Sequence, residues 1–290
     1  VNLLPPFQSH KLLQDVSTFA IGGPARFFTT VSTVEEMQAV LSHCHIEKVP
    51  FFILGKGSNC LFNDKGLDAL VIQNKISYLD IQDSVVDVGS GYSFSMLGLK
   101  TAKSGLSGLE FASGIPATVG GAIFMNAGAN GAETADCLEE VTFVDHVGKL
   151  HTWKKSELAF SYRFSSFQQK KGAIVSAKFL LASSEEARKK QFAIIEYRKR
   201  TQPYQDPSAG CVFRNPVGWS AGALIEKSGL KGFSIGGAEV SSMHANFIVN
   251  KGGATAEDVL SLVEEVKKRV LAATGVELEM EVRCIPYQMN

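Results

Sequence analysis

The chain has 290 residues, 45% of them hydrophobic and 20% charged, so it is globular and long enough to bury a core shared between two or three domains. Lysine plus arginine and aspartate plus glutamate balance at 29 each; with no net field to recruit a polyanion, neither a nucleic acid nor a membrane surface is an expected partner, and an anionic ligand has to be held by local groups. Five cysteines, at 44, 60, 137, 211 and 284, lie far apart with no CxxC pair, which suits reduced thiols in a cytoplasm better than a disulfide framework.

The opening VNLLPPFQSHKLLQD has no basic stretch leading into a long apolar run and no small-residue cleavage site, so a soluble, unexported chain is expected. VEEMQAVLSHC has helical spacing in Met37, Val40, Leu41 and Cys44. The HCH at 43–45 reads as the end of that helix; neighbouring side chains diverge and no second ligand cluster follows, so no metal site is expected. VPFFILG reads as a buried strand, DALVIQ, ISYLDI and SVVDVGS as further short strands, and FSMLGLKTAKSG as a helix stopped at Gly105. Another helix is expected from about Ser183, opened by a Ser183/Glu186 capping box and closed by Arg198, Lys199 and Arg200. TQPYQDPSAG then breaks the periodicity and is the best domain boundary. In TAEDVLSLVEEVKKRVLAATG, Thr255 caps a helix, Val259, Leu262, Val263, Val266 and Val270 form one stripe, and Gly275 stops it. VELEMEVRCI alternates strictly and reads as a strand, with Val276, Leu278, Met280, Val282 and Cys284 on one face and Glu277, Glu279, Glu281 and Arg283 on the other. Strands with interspersed helices make the class α+β or mixed α/β.

Two glycine-rich stretches can approach a ligand. ILGKGSNCLF is a strand emptying into a turn whose glycines let N–H groups point inward, which suits a pyrophosphate. GLEFASGIPATVGGAIFMNAGANG, from Gly108 to Gly131, interleaves glycine and alanine with apolar residues and almost no charge, so it is expected to be buried and to line something flat and large. Neither is a G-x-G-x-x-G or a P-loop pattern, which disfavours a Rossmann dinucleotide domain and a P-loop nucleotidase.

These stretches, together with STFAIGGPARFF, SYRFSSF, PSAGCVFRNP, AGALIEKSGLKGFSIGGAEVSSMHANFIVN and ELEMEVR, resemble the UDP-N-acetylenolpyruvoylglucosamine reductase family, in family order over nearly the whole chain. The resemblance implies an α+β chain with an FAD-binding region of two α/β subdomains of the vanillyl-alcohol-oxidase type, at 1–74 and 75–202, followed by a substrate-binding subdomain at 203–290. The shorter form of the family is the better match. Also implied are FAD as cofactor, NADPH as co-substrate, and UDP-N-acetylglucosamine enolpyruvate as the substrate reduced to UDP-N-acetylmuramate. The alternatives are an FAD-dependent oxidase of the same broad fold and a non-catalytic nucleotide-sugar binding module.

Site residues follow from the same resemblance. Hydride addition to an enolpyruvyl methylene leaves negative charge on the adjacent carbon and its carboxylate, which calls for fixed cations or donors. Arg163 and Glu281 match the family residues for that task. Cys211 stands where many members carry serine and is expected to donate the proton; a thiol is a far stronger acid than an alcohol. Tyr162, Arg214, Asn215 and His244 are expected to bind substrate. Gly55, Lys56, Gly57, Ser58 and Asn59, with Gly114, Ile115, Pro116, Ala117, Thr118, Gly120 and Gly121, are expected to hold FAD.

Overall fold

The computed structural model describes residues 4–289, and packing divides the chain into two units, each built from non-contiguous segments. The first comprises the segment ending at Ser9, Phe27–Lys56 and Ala69–Arg198. Its smaller sheet has the order Gln8–Ser9, Ala25–Val31, Leu67–Asn74, Phe51–Leu54. Phe51–Leu54 runs parallel to Leu70–Gln73, so the chain between them must cross over rather than turn back as a hairpin.

Helix α1 (Val34–Ile46) starts in a capping box between Thr33 and Glu36. Its buried Met37, Val40, Leu41 and Cys44 share a core with Leu70, Ile72, Val144 and Val175, and burial raises the Cys44 thiol to about 11. His43 and His45 close this helix, as their spacing predicts.

The larger sheet is antiparallel, in the order Leu150–Lys154, Leu138–Asp145, Gly172–Leu180, Val85–Gly89, Leu79–Gln82. Helices α2 (Phe94–Lys103) and α3 (Val119–Met125) supply Phe94, Leu97, Val119 and Ile123 to a core shared with Val141, Phe143, Phe167 and Phe179 of this unit. ISYLDI forms a strand only from Leu79, because the Ile76 N–H goes to the Asn74 side chain and its carbonyl accepts from Gly91. Helix α4 (Ala187–Thr201) begins later than its sequence suggests. Ser183 lies in the short strand Ala182–Ser183, paired with Leu106–Ser107, and that pairing removes it from any Ser183/Glu186 capping box.

The second unit comprises His10–Arg26, Gly57–Asp68 and the chain from Lys199 onward. Its antiparallel sheet has the order Ser208–Cys211, Phe247–Asn250, Ala238–Val240, Ser234–Ile235. Helix α5 (Ala221–Lys227) is short, and α6 (Ala256–Thr274) buries the stripe read from its sequence, Val259, Leu262, Val263, Val266 and Val270. Thr255 and Asp258 form its capping box, the Asp64 carboxylate accepts the Ala256 and Glu257 N–H groups, and Gly275 ends it at φ 72°. Left-handed backbone of that kind favours glycine.

The last segment departs from strict alternation. Met280 makes an isolated bridge to Phe213, and only Arg283–Ile285 forms a strand, parallel to Cys60–Phe62. The N–H groups of Glu281 and Val282 both point to the Val212 carbonyl, at 2.7 and 3.4 Å, a bulge that advances the register by one residue. Cys284 therefore turns outward and is exposed, while Ile285 is buried. No helix among the described residues is long and apolar enough to cross a membrane.

Leu262 is fully buried in the second unit's core, so Leu262→Ala should cost about 2–5 kcal/mol. Denaturant unfolding checks this, with the exposed Glu264→Ala as the near-neutral control.

Candidate active site

In the first unit, Gly114–Gly121 is laid against a loop that sequence reasoning did not single out, Ser90–Ser95. Gly114 N–H donates to Ser95 Oγ at 2.7 Å, Phe94 N–H to the Ala117 carbonyl at 3.0 Å, Val119 N–H to Tyr92 at 2.9 Å and Gly120 N–H to Ser90 at 2.8 Å. The small residues are required by contact: a Cβ on Gly120 would lie 3.0 Å from Ser90 Cβ, and one on Gly55 2.5 Å from Thr118 Oγ1. The one signal in the sequence was Ser93, which caps α2. Most N–H groups of Gly114–Gly121 are thus already paired within the protein. The backbone N–H groups of Lys56, Gly57, Ser58 and Asn59, in contrast, have no acceptor among the described residues.

Lys56 Nζ lies 3.4 Å from Ser93 Oγ. Burial, and then the charge of Lys75, lowers its pKa. An anion beside it would relieve both effects. Ser113 is fully buried and its Oγ has no partner among the described residues.

Tyr162 and Arg163 form the turn between the paired strands Phe160–Ser161 and Phe164–Ser165. Arg163 is left-handed, at φ 58°. It donates from Nη2 to the Gly128 carbonyl at 3.2 Å and lies 4.8 Å from the centre of the Tyr162 ring. Two amides fix the turn: buried Asn126 donates to the Ser161 carbonyl at 2.9 Å, and Gln168 donates to the carbonyls of Arg163 and Phe124.

In the second unit, Cys211 ends the strand Ser208–Cys211, opposite Phe247, and the ladder slips by one residue between Ser208 and Cys211. Gly210 absorbs the slip at φ 79°. The next residue, Val212, accepts the Glu281 N–H at 2.7 Å, and the Glu281 carbonyl accepts from Asn59 Nδ2 at 3.3 Å. Cys211, Glu281 and Asn59 therefore occupy backbone tracks joined by single hydrogen bonds. Arg214 N–H donates to the Glu279 carbonyl, and its guanidinium lies 3.6 Å from the Glu279 carboxylate.

Two of the expected substrate contacts also hold the protein itself together. Asn215 Oδ1 accepts the Ala221 N–H at 3.0 Å, the first N–H of α5, beside the Ser220 cap. His244 Nδ1 accepts the Asn246 N–H at 3.3 Å, and its ring meets Phe247 edge-on at 4.9 Å. Burial lowers the His244 pKa. A cavity of about 560 Å³ in this unit is lined by Leu12, Ala20, Gly22, Asp64, Asn250 and Thr255 and by none of the expected site residues. Its Asn250 amide is already bonded to the carbonyls of Phe19 and Ala20 and the N–H groups of Gly252 and Ala254.

Comparison with known proteins decides the relationship. The chain is 58% identical to the UDP-N-acetylenolpyruvoylglucosamine reductase of Protochlamydia amoebophila over 98% of its own length and 95% of that protein's. The chain belongs to the UDP-N-acetylenolpyruvoylglucosamine reductase family. The reductase of Chlamydia muridarum is 51% identical over 96% of this chain and 94% of its own length. The crystal structure of the Thermus caldophilus reductase covers 98% of this chain and 100% of its own at 38% identity, with a TM-score of 0.84. The profile described as an FAD binding domain matches residues 25–154, and that of the reductase family's C-terminal domain matches residues 202–285. The α+β fold with an FAD-binding domain and the family's C-terminal domain is therefore the fold of this chain.

The residues present fit FAD. Its diphosphate needs donors and positive charge, which the N–H groups of Lys56–Asn59, without acceptors among the described residues, and the Lys56 ammonium would supply. Close packing at Gly55 and Gly120 keeps side chains out of the adjoining backbone, as a large planar group demands.

Lys56→Ala should weaken FAD retention about ten- to hundredfold, the scale of one hydrogen-bonded charge; flavin fluorescence on dilution measures it. His244 generates a pH effect. Its folded pKa lies below the unfolded value, so the unfolded chain binds more protons through that window and stability falls as pH drops from about 6.5. Melting temperature between pH 7.5 and 5.5 checks the slope, which should flatten in His244→Gln.

Proposed function

We propose that the protein is an FAD-dependent enzyme reducing the enolpyruvyl group of UDP-N-acetylglucosamine enolpyruvate to the lactyl ether of UDP-N-acetylmuramate, in the cytoplasm, for peptidoglycan precursor synthesis. The observation that supports it is the hydrogen-bonded backbone link between Cys211, through Val212, and Glu281, in a chain similar over 98% of its length to named reductases. NADPH as reductant, and segments 1–74, 75–202 and 203–290 as subdomains, belong to the same proposal and rest on the family resemblance.

When bound, FAD supplies the hydride that adds to the methylene carbon. Arg163 grips the substrate carboxylate, where charge builds up during addition; a guanidinium fork can do so with two parallel bonds. The Arg163 bond to Gly128 and the Asn126 and Gln168 clamps hold the turn ready, so little reorganisation accompanies charge build-up. Glu281 assists at the same carboxylate, either protonated or by orienting a donor. The Cys211 thiol gives its proton to the carbon that bears the carboxylate, leaving a thiolate that solvent reprotonates. Tyr162, Arg214, Asn215 and His244 contact the UDP-sugar, with the Arg214 cation as the natural partner of a phosphate.

Cys211→Ser should retain turnover within about tenfold, whereas Cys211→Ala should lose about 10²–10⁴-fold, the usual contribution of a positioned acid. In Cys211→Ala, bleaching of the flavin by NADPH should be unchanged. Turnover in Cys211→Ala equal to that of the wild type would remove Cys211 from the mechanism.

A further inference from the structure

Asn246 is 4% exposed and makes an unusual set of bonds. Its Oδ1 accepts the Phe213 N–H at 2.9 Å while its Nδ2 donates to the Phe213 carbonyl at 2.8 Å. Its own carbonyl accepts the Val212 N–H at 2.8 Å. The strand Phe247–Asn250 pairs with Ser208–Cys211, but the chain ahead of Phe247 is folded into a turn. Ser241 Oγ accepts the N–H groups of Met243 and His244, and the His244 carbonyl accepts the Phe247 N–H. The turn ends the ladder at Cys211 and leaves Phe213 with no strand neighbour on that side.

A primary amide reproduces the donor and acceptor of one peptide group. The Asn246 side chain therefore continues the ladder for one more residue after the backbone has left it. On the other side of the same segment, Val212 O holds Glu281 N–H and Arg214 N–H holds Glu279 O. Residues 212–214 are thus bonded on both sides, and the Asn246 side chain supplies the bonds to Phe213 on one of them.

We propose that Asn246 is a positioning residue for the proton donor: by acting as a substitute peptide group at Phe213 it fixes the segment that aims the Cys211 thiol and holds it in register with Glu281. This rests on the reading of Cys211 as the proton donor. The amide is specific for the task. Aspartate would place an acceptor against the Phe213 carbonyl, and alanine would leave two buried backbone groups without partners. Asn246 acts through the segment that it holds, so its effect falls on the half-reaction that uses the thiol and not on reduction of the flavin.

The test uses the FAD-loaded protein and the variant Asn246→Asp, with Asn246→Ser, which keeps one bond and introduces no repulsion, if the first does not fold. Iodoacetamide labelling with peptide mass spectrometry compares Cys211 with Cys60, Cys44 and exposed Cys284. The proposal expects Cys211 labelling to change by about fivefold or more with the other three unchanged. In anaerobic stopped flow, bleaching by NADPH should stay within about twofold, and return of oxidised flavin on adding the enolpyruvyl UDP-sugar should slow by about tenfold or more. Uniform change in all four thiols, or no change at Cys211, overturns the proposal, as does equal slowing of the two half-reactions. Cys211→Ala in the same stopped-flow assay separates the two ideas. If it re-oxidises as fast as the wild type, the proton-donor reading fails, while the labelling still decides whether Asn246 fixes the thiol.

Discussion

The second unit depends on the backbone of one residue, Val212. Its N–H is taken by the Asn246 carbonyl and its C=O by the N–H groups of Glu281 and Val282. A carbonyl serving two successive donors produces the bulge, and the bulge sets everything after it. Arg283–Ile285 is delivered in parallel register to Cys60–Phe62, Ile285 goes into the protein and Cys284 goes out. The same residue joins Cys211, its upstream neighbour, to Glu281. Strand register and the spacing of two proposed functional residues are therefore a single structural fact.

The two glycine-rich stretches carry another constraint, the division of backbone donors. In the glycine-rich segment Gly114–Gly121, the N–H groups of Gly114, Val119 and Gly120 go to the loop Ser90–Ser95, and those of Ile115, Ala117 and Gly121 bond locally. The turn Lys56–Asn59 keeps its N–H groups without acceptors among the described residues. An unpaired donor is costly unless water or a ligand satisfies it, and four in succession, the first of them on a lysine of lowered pKa, would suit a polyanion. Glycine has two uses here: close packing in one stretch and open donors in the other.

Much of this was legible in sequence, for identifiable reasons. α6 was read nearly to the residue because its cap, stripe and terminal glycine all act locally. The start of α4 was misread because Ser183 is claimed by pairing with Leu106–Ser107, some 76 residues earlier in the chain. Alternation in the closing segment gave the faces of Leu278, Met280 and Val282 but not of Cys284, since a bulge is imposed by the opposing strand and leaves no local pattern. Glycine content pointed to both cofactor stretches, yet it could not say which held free donors. Asn246 carried no sequence signal beyond its residue type, and the Ser90–Ser95 loop none beyond the Ser93 cap of α2, because their importance lies in what they bond across the fold. The interleaving of His10–Arg26 and Gly57–Asp68 with the C-terminal part was likewise invisible to a linear reading.

The central claim is that a flavin held by this chain passes reducing equivalents to an enolpyruvyl ether. Its most direct test is a single turnover without oxygen: the purified protein is bleached with one equivalent of NADPH, and UDP-N-acetylglucosamine enolpyruvate is then added. The account predicts that the oxidised flavin band returns in step with formation of the lactyl ether. A flavin that stays reduced with the substrate unchanged would contradict it.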